Sequence, residues 1–309
     1  MTEPQNQPLR RQLNLQADRM RAEYLGRGFT RDDYKRLSER ADEAIESARA
    51  LGVPGEALGA LKTSRAVLGS VLTLLNDPAA ESVAPTNDQV YHAALQVARL
   101  SRLTGQFRAA PVAWKQQVCA LFGELQAEKP EAALRLVLLE FAGLCRDVGM
   151  RIEPSGELGA EIELDDWTMA AAPALAEGPG SLAGAARAGS QALVSLRRPG
   201  IVVIDAGSAM PDAPSLRRVG NDETGEIEMQ RHVDQFIIDH HDEMAEAVDT
   251  QFAFAAVIGA VLHSVNVSAG RVNFAGCYRV VNLCEPTDVR MPRLRRFMDR
   301  FSKAICQVR

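Results

Sequence analysis

Two stretches of the chain carry side chains whose types and spacing could hold a divalent metal. The first is IEPSGELGAEIEL, residues 152–164, in which Glu153 precedes a Pro-Ser-Gly turn and Glu161 and Glu163 stand two apart. On a strand, side chains two apart point to one face, so Glu161 and Glu163 lie together and a hairpin brings Glu153 toward them. Clustered carboxylates suit Mg²⁺ or Mn²⁺, and metal-bound water can attack a phosphodiester. The second stretch is DQFIIDHHDE, residues 234–243, where Asp239, His240 and His241 follow one another. These are either metal ligands or the polar side of a helix.

A third feature is cationic. The terminal segment MPRLRRFMDRFSKAICQV reads as a helix with Leu294, Phe297, Phe301 and Ile305 inward and Arg293, Arg295, Arg296, Arg300 and Lys303 on the opposite face. Such a face can lie along phosphates, and Arg293, Arg296 and Arg300 are the candidate contacts. The same pattern also gives solubility to a terminal helix. Other chemistries are poorly provided for: there is no GxSxG elbow, no GxGxxG after a strand and no HExxH. The chain has 30 arginines and only five lysines, and no lysine lies between Lys129 and Lys303. A phosphate-loop or Schiff-base lysine in that interval is therefore excluded, because arginine cannot replace a titratable amine.

The elements that would position these residues fall into two halves. Residues 1–146 read as helices throughout, forming an all-helical domain. LRRQLNLQADRMRAEYLG has Leu9, Leu13, Ala17, Met20 and Tyr24 at helical spacing. Thr30 is placed to cap a second helix in which Tyr34, Leu37, Ala41, Ile45 and Ala48 share a face before Gly52 ends it. Further helices are expected at about 55–76, 87–105, 111–128 and 130–146.

Residues 147–309 read as an α/β domain with a mixed central sheet, so the expected class is α+β. Short strands at about 150–153 and 160–164 are followed by an Ala/Gly-rich loop to about Gly180 and a helix to Leu196. IVVIDAG, residues 201–207, is the best buried strand. A polar loop from Ser208 to Glu226 then leads to DQFIIDHHDE. Two β-rich segments, FAFAAVIGAVLHSVNV and RVNFAGCYRVVNL, precede the terminal helix. Within EMQRHVDQFIIDHHDEMAEAV, Val233, Ile237, His240, Met244 and Val248 form one helical stripe, so a helix accounts for the whole segment and makes His240 a packing residue.

Two family resemblances follow from these residues. IVVIDAG and FIIDHHDE, apolar runs each ending in an acid, resemble two motifs of the DHH phosphoesterases. That likeness implies Asp205, Asp239, His240 and His241 as ligands of two divalent metals. The order helix, hairpin, helix, central strand resembles the restriction-endonuclease-like, PD-(D/E)XK, core. This second likeness implies metal held by Glu153, Glu161 and Glu163, although the lysine of the acid-x-lysine pair is missing. On it rests the expected function: a metal-dependent, nuclease-like phosphodiesterase, or a degenerate inactive descendant acting near nucleic acid. A non-catalytic interaction or scaffold protein is the alternative from another class, and a DHH-type phosphoesterase the other enzymatic one.

Composition limits these options without choosing among them. With 46% hydrophobic and 24% charged residues the chain is globular in character, and its net charge of -5 means that any nucleic-acid surface must be a local basic patch. A protein partner would dock through the helical half. The five cysteines form no CxxC pair, no secretory leader is legible and no apolar run reaches membrane-spanning length. A cytoplasmic protein without membrane attachment is therefore expected.

Overall fold

Gly149 is where the chain changes from helix to strand. It sits at φ +71°, a left-handed conformation that suits glycine, and the following Met150 N–H returns to the Cys145 carbonyl at 3.0 Å to close the helix end. The computed structural model describes residues 30–32, 34–77, 84–165, 167–178, 181–210, 217–219, 222–266 and 271–306. The expected helix over residues 9–24 lies outside them. Two compact units are present. One is Thr30–Leu139; the described residues of the other begin at Glu140, so the division falls inside a helix.

In the first unit a three-residue strand, β1 (Thr30–Asp32), leads to helix α1 (Tyr34–Ala50). Thr30, expected to cap this helix, lies in the strand, and the helix begins only at Tyr34. The buried stripe of α1 begins at Leu37. A single 3-10 turn, Gly55–Leu58, precedes α2 (Gly59–Asn76), followed by α3 (Asn87–Phe107), α4 (Val112–Gln126) and α5 (Glu131–Asp147). Helix α3 starts on a reciprocal cap. Thr86 Oγ1 accepts from the Gln89 N–H at 3.2 Å, and Gln89 Oε1 accepts from the Thr86 N–H at 2.8 Å. Helices α1, α2 and α3 pack on one another. Leu61, Val97, Leu103, Phe107, Trp114 and Phe122 are fully buried, with the Phe107 and Trp114 rings 5.6 Å apart. Arg135 of α5 closes a bidentate pair on Glu124 of α4 at 2.8 and 2.7 Å and also donates to Gln117.

The second unit is built on a mixed sheet whose strands run, from one side to the other, Arg271–Asn282, Ala253–Asn266, Gly200–Asp205, Trp167–Leu175, Ala160–Leu164 and Arg151–Pro154. Strands β2 (Arg151–Pro154), β3 (Ala160–Leu164) and β4 (Trp167–Leu175) form an antiparallel meander. Helix α6 (Leu182–Leu196) carries the chain over to β5 (Gly200–Asp205), which runs parallel to β4. Helix α7 (Asp222–Glu246) then leads to β7 (Ala253–Asn266), parallel to β5. Strand β8 (Arg271–Asn282) returns antiparallel, and α8 (Met291–Cys306) closes the described chain. The unit has the expected α+β class.

Two expectations are corrected. The stretch assigned to a loop up to Gly180 contains β4, a central strand. Alanine and proline argue against strand by local preference, yet Ala170, Ala171, Ala172 and Ala174 are buried between neighbouring strands, and the small side chains fit a position covered on both faces. The polar loop from Ser208 to Glu226 contains a short strand, β6 (Arg217–Val219), parallel to the far end of β7, and the first turn of α7.

One sheet face packs on α6 and α7. Ala172, Val202, Ala256 and Val281 form a row across four strands on that side and join Leu193, Val233 and Ile237 in one apolar core. The register leaves little room. A Cβ added at Gly200 would collide with the Ala170 carbonyl, and one at Gly189 of α6 would collide with Val202.

Candidate functional site

The two short strands expected around the Pro-Ser-Gly turn pair as an antiparallel hairpin. Glu153 lies directly opposite Glu161, Arg151 opposite Glu163, and Ile152 opposite Ile162. Ile152 and Ile162 are buried while Glu153 and Glu163 are exposed, so the three acids share the outward face of the hairpin. Two of the three charges are engaged locally. Glu161 is salt-bridged to Arg198, just beyond α6, and accepts from Ser155 Oγ at 3.1 Å; Glu163 pairs with Arg151 at 2.9 Å. The Arg198 guanidinium, helped by Ser155, holds the Glu161 carboxyl below the usual carboxylate range. On the next strand, Ala170 stands opposite Glu161 and Thr168 opposite Glu163.

The DHH stretch is helical and lies within α7. Val233, Ile237 and Met244 are buried as the stripe requires. His240 packs edge-on against Phe236 with ring centroids 4.8 Å apart, and its Nδ1 is 3.7 Å from Glu243. His241 spans Asp242 at 3.1 Å and the Asn282 backbone carbonyl of β8 at 3.3 Å, while Asp239 accepts from Gln235 at 2.6 Å. Asp205, at the end of β5, accepts from the Gly207 N–H at 2.9 Å and shapes the turn that follows. Among the described residues, no group of three or more His, Cys, Asp and Glu side chains could hold a metal ion. Cys119, Cys145, Cys277 and Cys284 carry thiols; burial pushes the Cys145 thiol well up. Among the described residues, no helix is long and apolar enough to cross a membrane.

The three candidate phosphate contacts converge on one place. Helix α8 buries Leu294, Phe297 and Phe301, with Phe297 and Phe301 stacked at 5.3 Å and both rings against Phe141 of α5. This fixes the opposite face of the helix against the turn between β3 and β4. Arg293 lies over the Trp167 ring at 5.4 Å, Arg300 reaches Asp165 Oδ1 at 2.8 Å, and Arg296 approaches Asp165 Oδ2 at 3.7 Å. Arg295 and Lys303 are exposed. Asp165 itself is at φ +51°, a left-handed conformation uncommon outside glycine and tolerated best by Asp and Asn. Sequence reasoning passed over Asp165 and Trp167. The signal available was the acidic pair in LDDW beside an otherwise apolar strand end, which has a use only when α8 is known to lie alongside.

In the helical unit, His92, Leu95, Gln96, Arg99 and Leu100 of α3 line a cleft of about 230 Å³ with Leu125 of α4 and Leu136 of α5. Gln96 accepts there from Ser64 Oγ at 2.7 Å.

No protein-family model, curated protein or solved structure matches the chain.

Proposed function

We propose that the protein binds nucleic acid through α8 and does so without cleaving it, as a degenerate form of the restriction-endonuclease-like design. The observation that carries the reading is the composition of one helix face. Arg293, Arg295, Arg296, Arg300 and Lys303 stand within α8, and Arg296 and Arg300 share a single carboxylate, leaving a local excess of positive charge on an acidic chain. Neutralising phosphates releases condensed counter-ions, so binding to such a surface is strongest at low salt and weakens as salt is raised.

The non-catalytic part draws on the hairpin. Carboxylates that are to hold Mg²⁺ or Mn²⁺ must be available to it, whereas Glu161 and Glu163 are each held by a guanidinium. The test is fluorescence anisotropy of labelled DNA and RNA against the full chain at several salt concentrations. Arg296→Glu with Arg300→Glu is expected to weaken binding on the order of tenfold or more and to flatten the salt dependence by about one to two phosphate contacts. Substrate cut in the presence of Mn²⁺, and spared when Glu161 is changed to Ala, would restore the metal-dependent phosphodiesterase.

The cleft between α3, α4 and α5 favours a second reading, in which the helical unit docks a protein partner. Partner capture lost on Leu136→Asp but kept on Arg300→Glu selects it.

A further inference from the structure

We infer that Arg296 and Arg300 form a clamp for a terminal phosphate, with Asp165 as its built-in counter-ion, so that α8 favours phosphorylated ends of nucleic acid over internal diesters. The inference rests on the reading of α8 as the nucleic-acid-binding face. Arg296 and Arg300 are one helical turn apart and so are surface neighbours, and they approach opposite oxygens of the same carboxylate, at 3.7 and 2.8 Å. That carboxylate marks a point where one small anion is shared by two guanidinium groups. Both arginines stay open to solvent, at 59% and 42% side-chain exposure, so an incoming anion can reach them.

The selectivity follows from competition with the resident anion. Asp165 is delivered by the β3–β4 turn, and a tethered group competes at a high effective concentration. An internal phosphodiester carries one negative charge, as the carboxylate does, and gains little by replacing it. A phosphate monoester carries about -1.5 to -2 at pH 7 and three acceptor oxygens, enough to engage both guanidinium groups at once. Lys303 continues the Arg296 and Arg300 stripe and Arg295 flanks it, so both remain for the diesters next to the bound end.

The experiment uses the full chain and one oligonucleotide sequence with either a 5′-phosphate or a 5′-hydroxyl, labelled at the other end and read by anisotropy. The wild type is expected to prefer the phosphorylated end roughly tenfold. Asp165→Asn keeps a residue suited to the left-handed turn; it should tighten binding of the hydroxyl end and shrink the preference to about threefold or less. Asp299→Asn removes the same charge from α8 itself and should tighten both ends alike with the preference intact. Binding that depends on Arg296 and Arg300 but ignores the end group overturns the clamp while leaving the α8 reading in place. So does an Asp165→Asn variant that behaves like Asp299→Asn. If neither oligonucleotide binds, the α8 reading falls, and the clamp with it.

Discussion

Arg279 of β8 and Asp234 of α7 meet under the helix, Nε to Oδ1 at 2.7 Å and Nη2 to Oδ2 at 3.3 Å, with Arg279 wholly buried. Arg279 lies opposite Ile258 on the face that α7 covers, so the guanidinium sits among apolar side chains. A buried charge that loses its partner is costly. Asp234→Ala should therefore lower stability by about 3–5 kcal/mol, measured as a shift of the urea midpoint, while Arg279→Met combined with Asp234→Leu should cost much less. Equal losses in the two variants would show that shape, not charge, dominates there.

Gly200 opens β5 where the chain approaches the Ala170 carbonyl of β4. The atom in the way is backbone, which cannot rotate aside. Gly200→Ala is expected to destabilise by on the order of 3 kcal/mol, readable in the same unfolding experiment. Gly189→Ala meets only the Val202 side chain and should cost less.

The loop before α8 supplies a pH-dependent contribution. Arg290 donates to Asp288 at 2.6 and 2.8 Å and to the carbonyls of Thr250 and Gln251, and it lies over the Phe254 ring at 5.1 Å. The guanidinium holds the Asp288 carboxyl at about 2, against an ordinary 3.8. A carboxyl depressed in the folded state stabilises the fold above its unfolded value and loses that effect as the pH falls through its folded value. The contribution is thus complete above about pH 4 and fades toward about pH 2. Melting temperatures of the wild type should fall more steeply over this window than those of Asp288→Asn; parallel curves would refute the assignment.

Removing Glu161 separates a hairpin acid held by an arginine from a metal ligand. Glu161→Ala should leave oligonucleotide binding undiminished and cost about 1 kcal/mol or less, since the pair with Arg198 is partly exposed. Calorimetric titration of the wild type with Mn²⁺ should show no heat that the variant lacks.

Much of this arrangement was legible in the sequence, and the losses have definite causes. Period-two alternation located β3 and placed Glu161 and Glu163 on one face. The helical stripe through Val233, Ile237 and Met244 gave α7, and the Leu294, Phe297 and Phe301 spacing gave α8. Strand β4 was hidden because Trp167–Leu175 has no alternation to read. Both of its faces are covered, and its alanines and Pro173 carry a local preference opposed to the tertiary outcome. The partners of the site residues were hidden for a different reason. Arg300 and Asp165 are 135 residues apart, and charge alone did not single out which of the many arginines each acid would meet.

Ala170 has a consequence for how this chain can change. It faces Glu161 across the β3–β4 ladder and is 1% exposed, packed in the core beneath α6. A carboxylate or lysine introduced there to complete a metal-binding pair would enter apolar surroundings as an unpartnered charge, a transfer that costs several kcal/mol. Completing a metal-binding pair at Ala170 therefore carries a cost in stability that a charge at the exposed Thr168, opposite Glu163 on the same strand, would not impose.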